Sequence, residues 1–169
     1  DITGNVTNEG IWKVNTTNFA GTTDQIIQQT PGKRFEGPIN TTDTIGNIIL
    51  GSNVMLESNT WNMNNAKLLT NGYQLLSNAY TLKNGKIVSN DTLILDNSSI
   101  NNMEFFGNYA LGGNILSQIS NVFNDTVTII DTLMNQNGWT NTIQIKGNII
   151  NKGTIQQHPS GYDLYLDIT

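Results

Sequence analysis

The chain contains no cysteine, which removes disulfides, thiolate metal sites and cysteine nucleophiles together. Charge is scarce as well: 12% of the 169 residues are Asp, Glu, Lys or Arg, about half the usual share. Eight basic residues against thirteen acidic ones leave a net charge of −5, and no basic cluster exceeds Lys33-Arg34. A groove that tracks phosphates has nothing to work with, so no nucleic-acid partner is expected. No apolar run approaches the roughly 20 residues that span a bilayer, so no membrane insertion is expected, and no signal-peptide pattern is present. Histidine occurs once (His158), arginine once (Arg34) and proline three times.

Amides and hydroxyls fill the space that charge leaves. Asparagine makes up about one residue in six, with many threonines beside it, both above ordinary usage. Disorder does not follow, because 37% of the residues are hydrophobic and Ile, Leu and Val recur along the whole length. Asn-Gly pairs (Asn71-Gly72, Asn84-Gly85, Asn137-Gly138) mark turns.

Helical periodicity is nearly absent. The pattern is instead a series of apolar runs of two to five residues, such as Ile48-Ile49-Leu50, Val54-Met55-Leu56 and Leu93-Ile94-Leu95, punctuated by Asn, Gly, Asp and Ser. Apolar positions recur at roughly 20 residues: Ile48, Leu68 and Ile87, then Ile129 and Ile149. Three short strands and three turns need about that many residues. The pattern predicts an all-β fold, a right-handed single-stranded parallel β-helix (β-solenoid) with coils of about 20 residues. An inward ladder of stacked asparagines would account for the composition. Residues 25–42, with Pro31 and Pro38, break the rhythm and predict an irregular loop or coil. Gly4-Asn5-Val6-Thr7-Asn8-Glu9-Gly10 matches Gly147-Asn148-Ile149-Ile150-Asn151-Lys152-Gly153 at Gly, Asn, Asn and Gly. The last residues, Asp167-Ile168-Thr169, match the first, Asp1-Ile2-Thr3. Residues 1–169 are therefore expected to be a single solenoid segment of a longer repetitive chain.

The segment Asn18-Phe19-Ala20-Gly21-Thr22-Thr23-Asp24-Gln25-Ile26-Ile27 is followed by Phe35, Ile39, Ile45-Gly46, Val54-Met55-Leu56 and Leu68-Leu69-Thr70-Asn71-Gly72. This order resembles the β-helical repeat region of large secreted, adhesin-like cell-surface proteins of Bacteroidota. Pro38, in Phe35-Glu36-Gly37-Pro38-Ile39, departs from it by standing where an apolar residue belongs. The resemblance implies export to the cell surface. It also implies O-glycosylation at Asp-Thr-aliphatic triplets, which would fall on Thr44, Thr92, Thr126 and Thr132.

Chemistry is thin. Glycoside hydrolysis needs two carboxyls at a set separation. Asp91 with Asp96 and Asp125 with Asp131 are candidates, but they read more simply as turn aspartates bounding strands. His158, in Gln156-Gln157-His158-Pro159-Ser160-Gly161, reads as a turn residue. No catalytic residue, cofactor or metal ligand is expected. Among the aromatics, Trp12, Trp61, Trp139, Tyr73, Tyr80, Tyr109, Tyr162 and Tyr165 could form a platform for sugar rings. Trp12, Trp61, Trp139 and Tyr162 are the leading glycan-contact candidates. The expectation is a structural or adhesive solenoid segment without catalysis, meeting surface glycans or other copies of itself by end-to-end or lateral stacking. The alternative is a carbohydrate-binding or polysaccharide-degrading β-helix fragment.

Overall fold

The computed structural model describes the chain except residues 43–45, 58, 136–140 and 161–162, and describes Asn141 by its backbone alone. Among the described residues there are strands, turns and bends but no helix. Short β-branched runs set between Asn, Gly and Asp leave each strand only two to eight residues before a corner turns the chain.

The strands wind into stacked coils. The first holds β1 (Val6–Asn8), β2 (Ile11–Trp12) and β3 (Thr17–Phe19). The second holds β4 (Gln25–Gln29), β5 (Arg34–Phe35) and β6 (Ile39–Thr41). In the third are β7 (Ile48–Leu50), β8 (Val54–Glu57) and β9 (Thr60–Asn62). β10 (Lys67–Leu69) and β11 (Leu75–Asn78) follow, and β12 (Thr81–Val88) ends the fourth coil and opens the fifth. β13 (Leu93–Asp96) leads to β14 (Ser99–Phe106), which bridges coils five and six in the same way. β15 (Tyr109–Gly112), β16 (Asn114–Gln118), β17 (Asn121–Phe123), β18 (Val127–Ile129) and β19 (Thr132–Asn135) come next. β20 (Asn141–Ile145), β21 (Ile149–Asn151), β22 (Thr154–Gln156) and β23 (Leu164–Ile168) complete the stack.

Every strand pair is parallel, each strand lying on its counterpart one coil away. The protein is a parallel β-solenoid with three faces. Face 1 begins with β1, face 2 with β2 and face 3 with β3. Residues 25–42 form a coil of this stack. Its irregularity lies in the turn at residues 30–33, while β4, β5 and β6 keep register with their neighbours.

Alternation within each strand sends every second side chain inward. On face 1, Ile48, Leu68, Ile87, Phe105, Phe123 and Ile145 stack coil upon coil with almost no exposure. The Phe105 and Phe123 rings lie 4.5 Å apart and nearly parallel. On face 3, Ile39, Trp61, Leu82 and Ile100 form the matching column. Each such side chain contributes about 1.5–3 kcal/mol by leaving water, so the core is one continuous apolar column.

Coil length varies. Asn84 and Asn102 meet 18 residues apart, whereas Gln144 and Asp167 meet 23 apart. Ile48, Leu68 and Ile87 do stack. Ile129 and Ile149 do not: Ile149 lies on Val127 and Ile129 on Asn151, both on face 2. The two Gly-Asn-x-x-Asn-x-Gly passages also lie on different faces, β1 on face 1 and β21 on face 2. Their common property is local. Asn8 Oδ1 accepts the Gly10 N–H at 3.0 Å, and Asn151 Oδ1 accepts the Gly153 N–H at 3.1 Å.

The asparagine ladder is external, not internal. Asn40 Nδ2 donates to Asn18 Oδ1 on the outside of face 3. At the corner leading to face 1, Asn84 Nδ2 donates to Asn62 Oδ1, and Asn102 Nδ2 to Asn84 Oδ1. Asn64, Asn65, Asn71, Asn84, Asn97 and Asn102 all have positive φ, the left-handed geometry that Asn tolerates better than most residues. Buried asparagines are the exception, and each is bonded: Asn121 Oδ1 accepts the Met103 N–H, while its Nδ2 faces Ser117 Oγ and three backbone carbonyls.

Face 2 has one seam. β2, β5, β8 and β11 form one ladder and β13, β15, β18 and β21 another, with no ladder joining β11 to β13. The Gln74 side chain spans the gap, Nε2 donating to Thr92 O at 3.0 Å and Oε1 accepting the Ile94 N–H at 3.1 Å.

Candidate functional site

The corner between faces 1 and 2 differs in length from coil to coil. Four residues (30–33) connect β4 to β5, three (51–53) connect β7 to β8, and five (70–74) connect β10 to β11. The short middle corner, set between two longer ones, leaves a groove of about 660 Å³. Pro31, Gly32 and Lys33 form one wall, with Gln29 behind them, and Tyr73 stands opposite. Met55 and Leu76, stacked in register on the outside of face 2, make an apolar floor beside Ser52 and Asn53. Arg34 and Glu57 close the far rim.

Both walls are held by tight turns. Lys33 N–H donates to Thr30 O at 3.1 Å, and Gly32 takes a φ of 76°. Gln29 Nε2 then donates to Lys33 O at 2.6 Å, fastening the loop to the coil. Across the groove, Tyr73 N–H donates to Thr70 O at 2.9 Å, with Asn71 and Gly72 at φ 52° and 81°. Only glycine and residues such as Asn accept consecutive left-handed positions at little cost, so the Asn-Gly pair fixes where Tyr73 stands.

The rim carries a charge network. Arg34 Nε lies 2.6 Å from both Glu36 Oε1 and Glu57 Oε2, and Lys13 Nζ lies 3.1 Å from Glu36 Oε2. Hydrogen bonds from Lys13 and then Arg34 hold the Glu36 carboxyl below the usual carboxylate range. The same bond to Glu36 holds the Arg34 guanidinium above its ordinary value. The groove thus combines one exposed aromatic ring, an aliphatic floor, fixed donors and acceptors, and Gln29 Oε1, a buried acceptor without a donor.

Trp61 is fully buried between Ile39 and Leu82, its Nε1 donating to Thr41 Oγ1 at 3.0 Å, so it offers no face to a sugar. Trp12 is half-buried in the first coil, packed on Phe35 with its Nε1 bonded to Thr17 Oγ1. Trp139, Tyr162 and Thr44 lie outside the described residues. Thr92 is exposed at the corner before β13, whereas Thr126 and Thr132 are half-buried. Tyr80 and Tyr109 are core residues whose phenols burial pushes up, and they donate to Gly37 O and Ile87 O. Tyr73, from the wider aromatic set, is the ring placed beside a groove.

Of the paired aspartates, Asp125 and Asp131 serve as coil-to-coil brackets. Asp125 Oδ2 accepts the Gly107 N–H and Asp131 Oδ2 the Gly113 N–H, each at 2.8 Å. Asp24 Oδ1 likewise holds the backbone N–H and Nδ2 of Asn47. His158 Nδ1 accepts the Ser160 N–H at 3.2 Å and caps its own turn. No group of three or more His, Asp or Glu among the described residues is arranged to hold a metal ion.

Comparison with known protein families, curated proteins and solved structures finds no match. What the geometry defines is a class: a parallel β-solenoid with a notched corner on its second face.

Proposed function

We propose that this chain is a structural and adhesive segment of an exported cell-surface protein, a non-catalytic rod that works through its sides. The observation that supports this most is where the carboxylates go. Asp125 and Asp131, one of the two carboxylate pairs a hydrolase could use, each accept a backbone N–H from an adjacent coil, as Asp24 does elsewhere. A carboxylate oxygen held by a backbone N–H of the next coil is committed to joining coils, which suits a structural role better than a catalytic one. The uninterrupted apolar column and coil-to-coil ladders suit a stiff spacer, because each coil is supported by its neighbours.

The test is incubation of the protein with soluble glucans, mannans, galactans and polyuronates, followed by assay for new reducing ends and unsaturated products. No turnover above buffer is expected with any of them. Turnover that disappears in Asp125→Asn or Asp131→Asn, with folding intact, would overturn the non-catalytic reading. The carbohydrate-binding alternative draws support from the groove beside Tyr73.

A further inference from the structure

We propose that the groove between the 30–33 and 70–74 corners binds a short stretch of glycan, one sugar ring lying on Tyr73 with its C–H face toward Met55 and Leu76. The proposal deepens the adhesive half of the function above and rests on it. Three observations converge on this ligand class.

The first is architectural. In a solenoid, differences in loop length between coils fall on one corner and shape the surface there. Here the three-residue corner of coil three sits between corners of four and five residues, so the notch follows from the winding. Its volume of about 660 Å³ is in the range of ligand clefts. Both walls are hydrogen-bonded turns, so little ordering cost falls on binding.

The second is chemical. Tyr73 is 38% exposed and Leu76 40%, so an aromatic ring and an aliphatic side chain line one open space. A pyranose needs this pairing, because one side of its ring carries C–H groups and its edges carry hydroxyls. Those edges would meet Ser52, Asn53 and the Arg34–Glu57 pair. Arg34 and Glu57 already neutralise each other at 2.6 Å, so they offer directed hydrogen bonds more than net charge. A purely apolar ligand would make no use of these rim groups, and a strongly charged ion would gain little from a pair already neutralised.

The third is an unmet acceptor. Gln29 is 7% exposed and borders the groove, and its Oε1 has no donor although its Nε2 is bonded to Lys33 O. A buried amide oxygen of this kind is costly to leave unpaired. A small displacement of the Lys33 turn would let a ligand hydroxyl supply the missing donor to this solvent-shielded oxygen. Among the charged lining residues, Lys33 and Arg34 stand against Glu57, leaving one positive charge on the Lys33 side, where a uronate could sit.

The experiment titrates the whole chain with three probes: glucohexaose, mannohexaose and hexagalacturonate. Binding is followed by calorimetry and by NMR of the Met55 and Leu76 methyl groups. Saturable binding of at least one probe is expected, with shifts centred on Met55, Tyr73 and Leu76. Tyr73→Ala should weaken it about tenfold, in line with the loss of an aromatic contact. Tyr165→Ala, a still more exposed aromatic outside the groove, should leave affinity unchanged. If hexagalacturonate alone binds, Lys33→Gln should weaken it and the ligand is an acidic glycan; if a neutral hexaose binds, the ligand is neutral. Far-UV circular dichroism of each variant confirms folding, and Leu76→Ser serves as a second groove variant should Tyr73→Ala unfold. Absence of binding by all three probes at millimolar concentration, or binding indifferent to both groove variants, would overturn the proposal. Cleavage of a bound probe would instead overturn the non-catalytic reading while leaving the groove assignment standing.

Discussion

Asparagine's part in this protein is decided by backbone conformation. Among the described residues, six Asn occupy left-handed positions at corners, where a β-branched residue is strained. Ile119 breaks that pattern, with a φ of 45° at the position stacked next to Asn102. Its side chain is 41% exposed, so little packing repays the strain. Ile119→Asn is therefore expected to stabilise the fold by about 1 kcal/mol, read as a higher urea midpoint with an unchanged slope; a lower midpoint would contradict the strain argument. That Asn belongs at corners is legible in the sequence, because the reason is local. Whether an asparagine faces in or out is not. Asn18 and Asn40 sit mid-strand and Asn62 ends its strand, and in strands of three residues alternation alone cannot choose the inward side. Where an asparagine is fully buried its amide is bonded, as Asn121 is through both ends, whereas Gln29 Oε1 and Asn101 Oδ1 are buried without a donor.

Strands of two to eight residues hold together only through their neighbours, so the places where ladders fail matter most. At the seam between β11 and β13, the Gln74 amide does the bridging that backbone groups do elsewhere. Gln74→Ala is expected to cost about 1–2 kcal/mol and to make the Ile94 amide exchange with solvent well before that of Leu95. Unchanged protection at Ile94 would show that the seam closes without the bridge. The Lys13–Arg34–Glu36 network gives a pH dependence of definite sign. Because the folded-state carboxyl of Glu36 lies below its ordinary value, its contribution is present above the unfolded carboxylate range and is lost as pH falls through the lower folded value. Melting temperature should drop on acidification below about pH 4.5, less steeply in Glu36→Gln; equal slopes would remove the network from the account. Sequence spacing located Ile48, Leu68 and Ile87 because those coils are near 20 residues long. The same ruler failed at Ile129 and Ile149, where the partner is 22 residues away, and a shift of two residues keeps every side chain on its own side. The slip therefore leaves no mark in the alternation.

Across the whole molecule, the fold was legible because repetition makes one signal many times over, while the groove was not. Each of its corners is ordinary alone, and only their unequal lengths in neighbouring coils create a notch. Tyr73, Met55 and Leu76 are brought together from separate turns and strands, and Arg34 reaches them from a coil that its prolines marked as irregular. The stacking that creates this site can be tested directly, because the natural chain has no cysteine to interfere. Lys67 and Lys86 lie side by side in adjacent coils, and Glu104 follows Lys86 one coil further on. Adjacent strands are about 4.8 Å apart, within disulfide reach, whereas two coils span about 10 Å, beyond the roughly 7 Å limit. Under mild oxidation, Lys67→Cys with Lys86→Cys should form an intramolecular disulfide in nearly every molecule, and Lys67→Cys with Glu104→Cys should form almost none. Equal closure of the two pairs, or failure of the first, would contradict the stacked solenoid.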